Sequence, residues 1–194
     1  MANRTLDSAR INLTATAGIK NTLDDGCTAT SSVAFVQTTN FRDGVSENEF
    51  NRVWAQVGVA LSDAASLTFD LTDFSGYDIG AGDGNDMLGQ IMDLEELVFI
   101  AIRNDVTSTG SLQIEAGSSL ANGVSWLPNN YQMPPNSTFI FSSPGEDGVF
   151  VSVLNKLFRI TAQGGACNYS LFIFGRNDTE ESSSSSSSSL SSQP

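Results

Sequence analysis

The residues in this chain able to do chemistry are carboxylates, two cysteines and a few aromatic rings; histidine is absent. The densest polar cluster is Asp73, Asp78, Asp83, Asn85 and Asp86, in and beside the glycine-rich stretch 76–89. Within it, Gly80-Ala-Gly-Asp-Gly-Asn-Asp86 combines glycines with hard oxygen donors, the ingredients of a calcium loop. Its spacing is not that of an EF-hand, and it occurs once, whereas calcium-binding nonapeptides come in arrays. Asp and Asn beside Gly also make ordinary solvated turns. The turn is the expectation and calcium the alternative. Asp93, Glu95, Glu96, Glu115 and Glu146 are carboxylates of the kind a glycosidase pairs across a scissile bond. Nothing in their spacing brings two of them together, so no catalytic residue is assigned.

Trp126 and Tyr131 flank Leu127-Pro-Asn-Asn130 and are followed by Met133-Pro-Pro135. Aromatics on a Pro/Asn loop can stack on a sugar or fill a partner's pocket. They are the candidate contact residues; the alternative is that Trp126 caps the core. Trp54 lies out of phase with Val53, Ala55 and Val57, which places it under a second layer or at an oligomer interface. Cys27 and Cys167 are 140 positions apart, so no CxxC chemistry applies. They read as two small buried hydrophobes or as one long-range bridge.

Charge and composition exclude several functions. The 194 residues carry nine Lys plus Arg against 22 Asp plus Glu, a net charge of −13. That charge repels phosphate backbones, and the scattered basic residues form no patch, so no nucleic-acid partner is expected. The lack of histidine removes Ser-His-Asp, Cys-His and His-metal arrangements. No apolar run reaches the length of a membrane-spanning helix, and the N-terminus has no signal-like apolar segment. No cofactor is expected. Hydrophobic residues at 40% suffice for one core.

The elements that must position these residues are strands. Apolar and polar residues alternate at Ile11–Thr16, Val53–Leu61, Leu67–Thr72 and Leu112–Ala116, the period of a strand with one buried face. Val33–Thr39 is β-branched, and Leu97–Asn104 is apolar enough for a central strand. Thr138–Ser142, Val149–Val153, Phe158–Ala162 and Tyr169–Phe174 complete the set. Glu47–Asn51 suits a turn, and the apolar spacing in Asn85–Glu96 suits a short helix that Gly89 weakens. The expectation is an all-β, antiparallel β-sandwich with one short helix. It forms a single domain over residues 1–177, with an N-terminal arm at 1–10. Residues 178–194 are an acidic, serine-rich flexible tail.

The order of these motifs carries a resemblance. Leu67-Thr-Phe-Asp-Leu-Thr-Asp73 comes first, then Leu94-Glu-Glu-Leu-Val-Phe-Ile-Ala-Ile-Arg-Asn104, Gly110-Ser-Leu-Gln-Ile-Glu-Ala-Gly117 and the Trp126 loop. Met133-Pro-Pro-Asn-Ser-Thr-Phe-Ile-Phe-Ser-Ser-Pro144, Asn155-Lys-Leu-Phe-Arg-Ile-Thr-Ala162 and Cys167-Asn-Tyr-Ser-Leu-Phe-Ile-Phe-Gly-Arg176 follow. Together, these residues resemble a small β-sandwich protein of tailed-phage and prophage virions. The match spans about 55% of the chain and omits the first 60 residues.

The resemblance implies a jelly-roll-like virion protein made in the host cytoplasm: a capsid decoration (cement) protein, a head fibre or a tail-associated protein. The implied partners are the major capsid protein and further copies of the chain, as a homotrimer. Phe35, Phe41, Phe50, Phe150, Phe158, Phe172 and Phe174 are the apolar residues available for such contacts. The alternative function is a tail- or fibre-associated module that binds a receptor or glycan through Trp126 and Tyr131.

Overall fold

The computed structural model describes residues 9–22, 28–74 and 91–177. Twelve strands fill most of this span: β1 (Ala9–Thr22), β2 (Thr28–Asp43), β3 (Glu49–Phe50), β4 (Arg52–Leu61), β5 (Ser66–Asp70), β6 (Glu96–Asn104), β7 (Ser111–Glu115), β8 (Tyr131–Met133), β9 (Ser137–Ser142), β10 (Val149–Phe150), β11 (Leu157–Gln163) and β12 (Cys167–Arg176).

From β4 onward the strands form two antiparallel sheets. One runs β4-β12-β6, with β9 and β10 following each other along the far side of β6; the other runs β5-β11-β7-β8. If β9 and β10 are counted as one interrupted strand and β4 as the first, the orders are 1-8-3-6 and 2-7-4-5. This is the jelly roll, two four-stranded sheets closed over one core. The expected fold class is therefore found.

The core draws on both sheets. Trp54, Ile100, Ile102, Leu171 and Ile173 of the first face Phe69, Leu112, Ile114, Phe158 and Ile160 of the second, all buried. Trp54 is fully enclosed, with its ring centroid 5.7 Å from Phe69 and 5.0 Å from Phe74. Of its two expected placements, it takes the one under the second layer.

Three local readings are corrected. The apolar series beginning at Val53 does not face the core at Val57, which is 71% exposed. Gly58 takes a positive φ of 65°, and the β4–β12 register shifts between Tyr169 and Leu171. That irregularity lets Trp54 and Leu61 both point inward while Val57 points out. The helix expected over Asn85–Glu96 is not present in its described part: residues 91–95 are non-helical and Glu96 begins β6. Backbone bonds from Leu94 to Leu71 and from Glu95 to Arg176 hold this segment extended. The described residues contain one helical turn, a 3₁₀ turn at Gly117–Ser119. Finally, the strand expected over Val149–Val153 ends at Phe150. The turn expected over Glu47–Asn51 is confined to Glu47–Asn48, with Asn48 at φ 58°, because Glu49–Phe50 pairs with β2 as β3.

β1 and β2 add to neither sheet. They pair with each other over fourteen rungs, from Ala9↔Phe41 to Thr22↔Thr28, as a two-stranded ribbon. Two parallel rungs join β2 to β3 at its root. There Phe41 and Phe50 are buried with Val98, and Ile11, Val53 and Phe174 pack around them. Cys27, residues 75–90 and the serine-rich tail lie outside the described residues, and with them the disulfide and calcium readings.

Arg176 closes this junction. It is fully buried, and its five N–H donors meet five acceptors: Glu49 O (2.9 Å), Glu96 Oε2 (2.9 Å), Glu146 O (2.7 Å), Pro144 O (3.4 Å) and Gly145 O (2.8 Å). Removing one partner of a buried charge pair strands the other, at about 3–5 kcal/mol. Arg176→Ala should therefore lower the unfolding free energy by roughly that amount in urea titrations. Arg176→Lys, with three donors on a flexible stem, should recover only part of it.

Candidate functional site

Three surfaces of the sandwich are candidates for recognition. The first is the outer face of β5-β11-β7-β8, which is polar. Arg159 donates two hydrogen bonds to Glu115, at 2.7 and 2.8 Å, and the Thr161 hydroxyl donates a third at 2.9 Å. Alongside runs an amide ladder in which Gln163 donates to Gln113, Gln113 to Asn130, and Gln132 to Gln163. These groups satisfy one another across the ladder. The hydrogen bonds from Arg159 hold the Glu115 carboxyl below its ordinary value, assisted by Thr161 and the Arg159 charge, while burial acts in the opposite direction.

The second surface holds the sequence-derived contact residues. Tyr131 opens β8, 47% exposed, with its ring 6.1 Å from Phe139. Trp126 is half-buried against the core and stacks on Phe141 at 5.1 Å. Phe139 and Phe141 alternate on β9, so both candidate rings lie along one strand, over the open edge between the sheets. The Trp126 indole nitrogen is buried without a hydrogen-bond partner among the described residues. Trp126 packs against the core, and Tyr131 is the more exposed of the two rings.

The third surface was missed by the strand reading of Val149–Val153. After Phe150 the chain turns tightly: Asn155 N–H bonds to Ser152 O at 2.9 Å, and Leu154 N–H to the Ser152 hydroxyl at 3.3 Å. The Asn155 amide donates to Phe150 O (3.0 Å) and accepts from Ser125 N–H (2.9 Å), while Val151 N–H bonds to Glu95 O (2.8 Å). The tip so held presents Phe150, Val153 and Leu154 at 67%, 71% and 75% exposure. A signal for it existed in the sequence: Ser152 and Asn155 bracket Val153-Leu154 with turn-forming side chains.

The candidate carboxylates are largely engaged. Asp93 lies 3.5 Å from the Arg52 guanidinium, Glu115 binds Arg159, and Glu96 binds Arg176. No group of three or more potential metal ligands occurs among the described residues. Cys167 is buried, and that burial raises its thiol pKa. Of the seven phenylalanines expected at contacts, Phe41, Phe50 and Phe158 are buried inside the chain and Phe174 is half-covered; Phe150 and Phe172 are exposed. The side chain of Phe35 lies outside the described residues. A polar hollow of about 460 Å³ opens between Thr38–Arg42 of β2 and the turn at Glu47–Glu49.

No protein-family model matches the chain, and neither a curated protein nor a solved structure matches it.

Because the folded Glu115 pKa is depressed, the stability it contributes is present above the ordinary carboxyl value of 4.5 and is lost as pH falls through the lower folded value. Glu115→Gln should therefore be less stable than the parent at neutral pH by about 1–2 kcal/mol, with the gap closing on acidification. Denaturant titrations between neutrality and low pH read this directly. A gap that stays constant with pH would remove the carboxylate from the account.

Proposed function

We propose that this chain is a structural protein of a tailed-bacteriophage virion: a capsid decoration protein that stabilises the shell by docking between subunits of the major capsid protein. The single observation that carries this reading is the Phe150–Leu154 tip. Three large apolar side chains stand in water, Phe150 at the end of β10 and Val153 and Leu154 on the turn that follows, a turn fixed by five hydrogen bonds. Apolar side chains clustered in water mark interaction sites. A turn already held in one shape loses little conformational freedom on binding.

The jelly-roll topology supports the reading, because it gives a closed scaffold on which a loop can be displayed rigidly. The motif order shared with phage virion sandwiches supports it as well. The charge of −13 is suited to a protein that works beside packaged DNA without adhering to it.

The test is incorporation. Purified particles should carry the chain in many copies, at a multiple set by the shell's symmetry. Val153→Asp with Leu154→Asp should abolish particle binding and leave folding stability within about 0.5 kcal/mol, as for exposed sites generally. Detection of the chain only in the lysate, or full incorporation of the double variant, would overturn the proposal.

A further inference from the structure

β2 has a strand on both sides only at its root. On one side β1 pairs with it from Thr28 to Phe41. On the other side β3 pairs with Arg42 and Asp43 alone. Beside Asn40 and Thr38 that second position is not filled by a strand: the chain turns at Glu47–Asn48, and the hollow of about 460 Å³ opens there. The lining shows that the hollow follows an edge. Thr38, Thr39 and Asn40 all border it, although successive side chains of a strand point to opposite faces. A space that meets both parities runs along the side of the strand.

The main chain along this side is unpaired. Arg42 N–H donates to Asn48 O at 3.1 Å and Gly44 N–H to Phe50 O at 3.4 Å, so these residues direct their N–H groups away from β1. The β1 register runs on without a shift, and hydrogen-bonding direction alternates along a strand, so Asn40 and Thr38 share that direction. Neither has a backbone partner on that side among the described residues. Their side chains are engaged on the ribbon's own face: Asn40 accepts from Arg10 at 2.9 Å, and Thr38 donates to Asn12 at 3.1 Å.

This edge specifies the chemistry of its occupant. Unpaired N–H and C=O groups in a row are a template for another strand. They recur every second residue, at about 6.6–6.8 Å, the repeat of an extended polypeptide. Arg42 and Glu47 stand exposed on the walls with opposite charges, so the hollow favours neither an acidic nor a basic segment. Main-chain pairing selects the occupant. The fold itself uses the same position for two residues, as β3.

We propose that the Thr38–Asn40 edge of β2 is a strand-addition site: an extended segment of a partner protein lies in the hollow, pairs with Thr38 and Asn40, and continues the line of β3. The site does not rest on the virion reading or on the Phe150–Leu154 tip, because the main chain alone carries it.

Amide hydrogen exchange on the purified full chain tests it, with short random peptides displayed for selection as the probe. In the peptide-free chain the Thr38 and Asn40 amides should exchange faster than those of Thr39 and Phe41, which face β1. Selected peptides should slow exchange at Thr38 and Asn40. Asn40→Pro removes an N–H that bonds nothing in the fold, and proline is tolerated on a strand edge. It should weaken the selected peptides roughly fivefold or more and leave the thermal midpoint unchanged. If Asn40→Pro does not fold, the parent chain decides with N-methylated peptides: methyl groups on one alternate set of peptide nitrogens should abolish binding, and on the other set should spare it. Protection of Thr38 and Asn40 in the peptide-free chain would mean that the edge is already covered, by this chain or by a second copy, and would overturn the proposal. So would a selection that enriches no peptide, peptides that leave both amides unprotected, unweakened binding to folded Asn40→Pro, or equal tolerance of both methylation sets.

Discussion

The rest of the structure depends on a buried cation. The guanidinium of Arg176 sits at the end of the last strand with each N–H on a different oxygen, drawn from β3, β6 and the loop at 144–146. Burying a charge is costly unless every hydrogen-bonding position is filled, and here all five are. A second polar exchange reinforces it: Asn51 donates to Asn177 O at 2.8 Å and accepts from Asn177 N–H at 2.9 Å. Both lie where the ribbon enters the sandwich. The polar lock fixes direction, and the rings of Phe41, Phe50 and Phe174 supply the apolar contact around it, with Phe50 and Phe174 stacked at 4.6 Å. Either alone would leave the root a hinge. Together they make the ribbon's root part of the folded body.

The strands of the sandwich were legible because most of them bury one face against the other sheet. Phe158–Ala162 and Leu112–Ala116 alternate in sequence, and their burial alternates in the same phase. The reading failed where that coupling breaks. In β4 the regular apolar series faces outward at Val57, because an irregular step at Gly58 resets the phase and no local signal says which parity the second sheet will cover. Tyr131–Met133 was not read as a strand at all. It has three residues, and its pairing with Leu112–Ile114 is a tertiary fact, invisible to periodicity.

The candidate site was legible in part for a related reason. Trp126 and Tyr131 were singled out by residue type, and type does not say how far each ring is buried; the stack of Trp126 on Phe141 is a tertiary fact. The Phe150–Leu154 tip runs the other way. Its residues look like the continuation of a strand, and hydrogen bonds accepted by Ser152 and Glu95 and donated by the Asn155 amide hold them in a turn instead. Where a local pattern meets a long-range bond, the bond decides.

The proposed tip carries an energetic constraint of its own. Burying a large apolar side chain is worth about 1.5–3 kcal/mol, so three residues about 70% exposed offer roughly 4 kcal/mol in all. Alone, that corresponds to a dissociation constant near the millimolar range, too weak to hold a protein on a particle. Several tips presented together bind as one unit, because after the first contact the others become intramolecular and gain effective concentration.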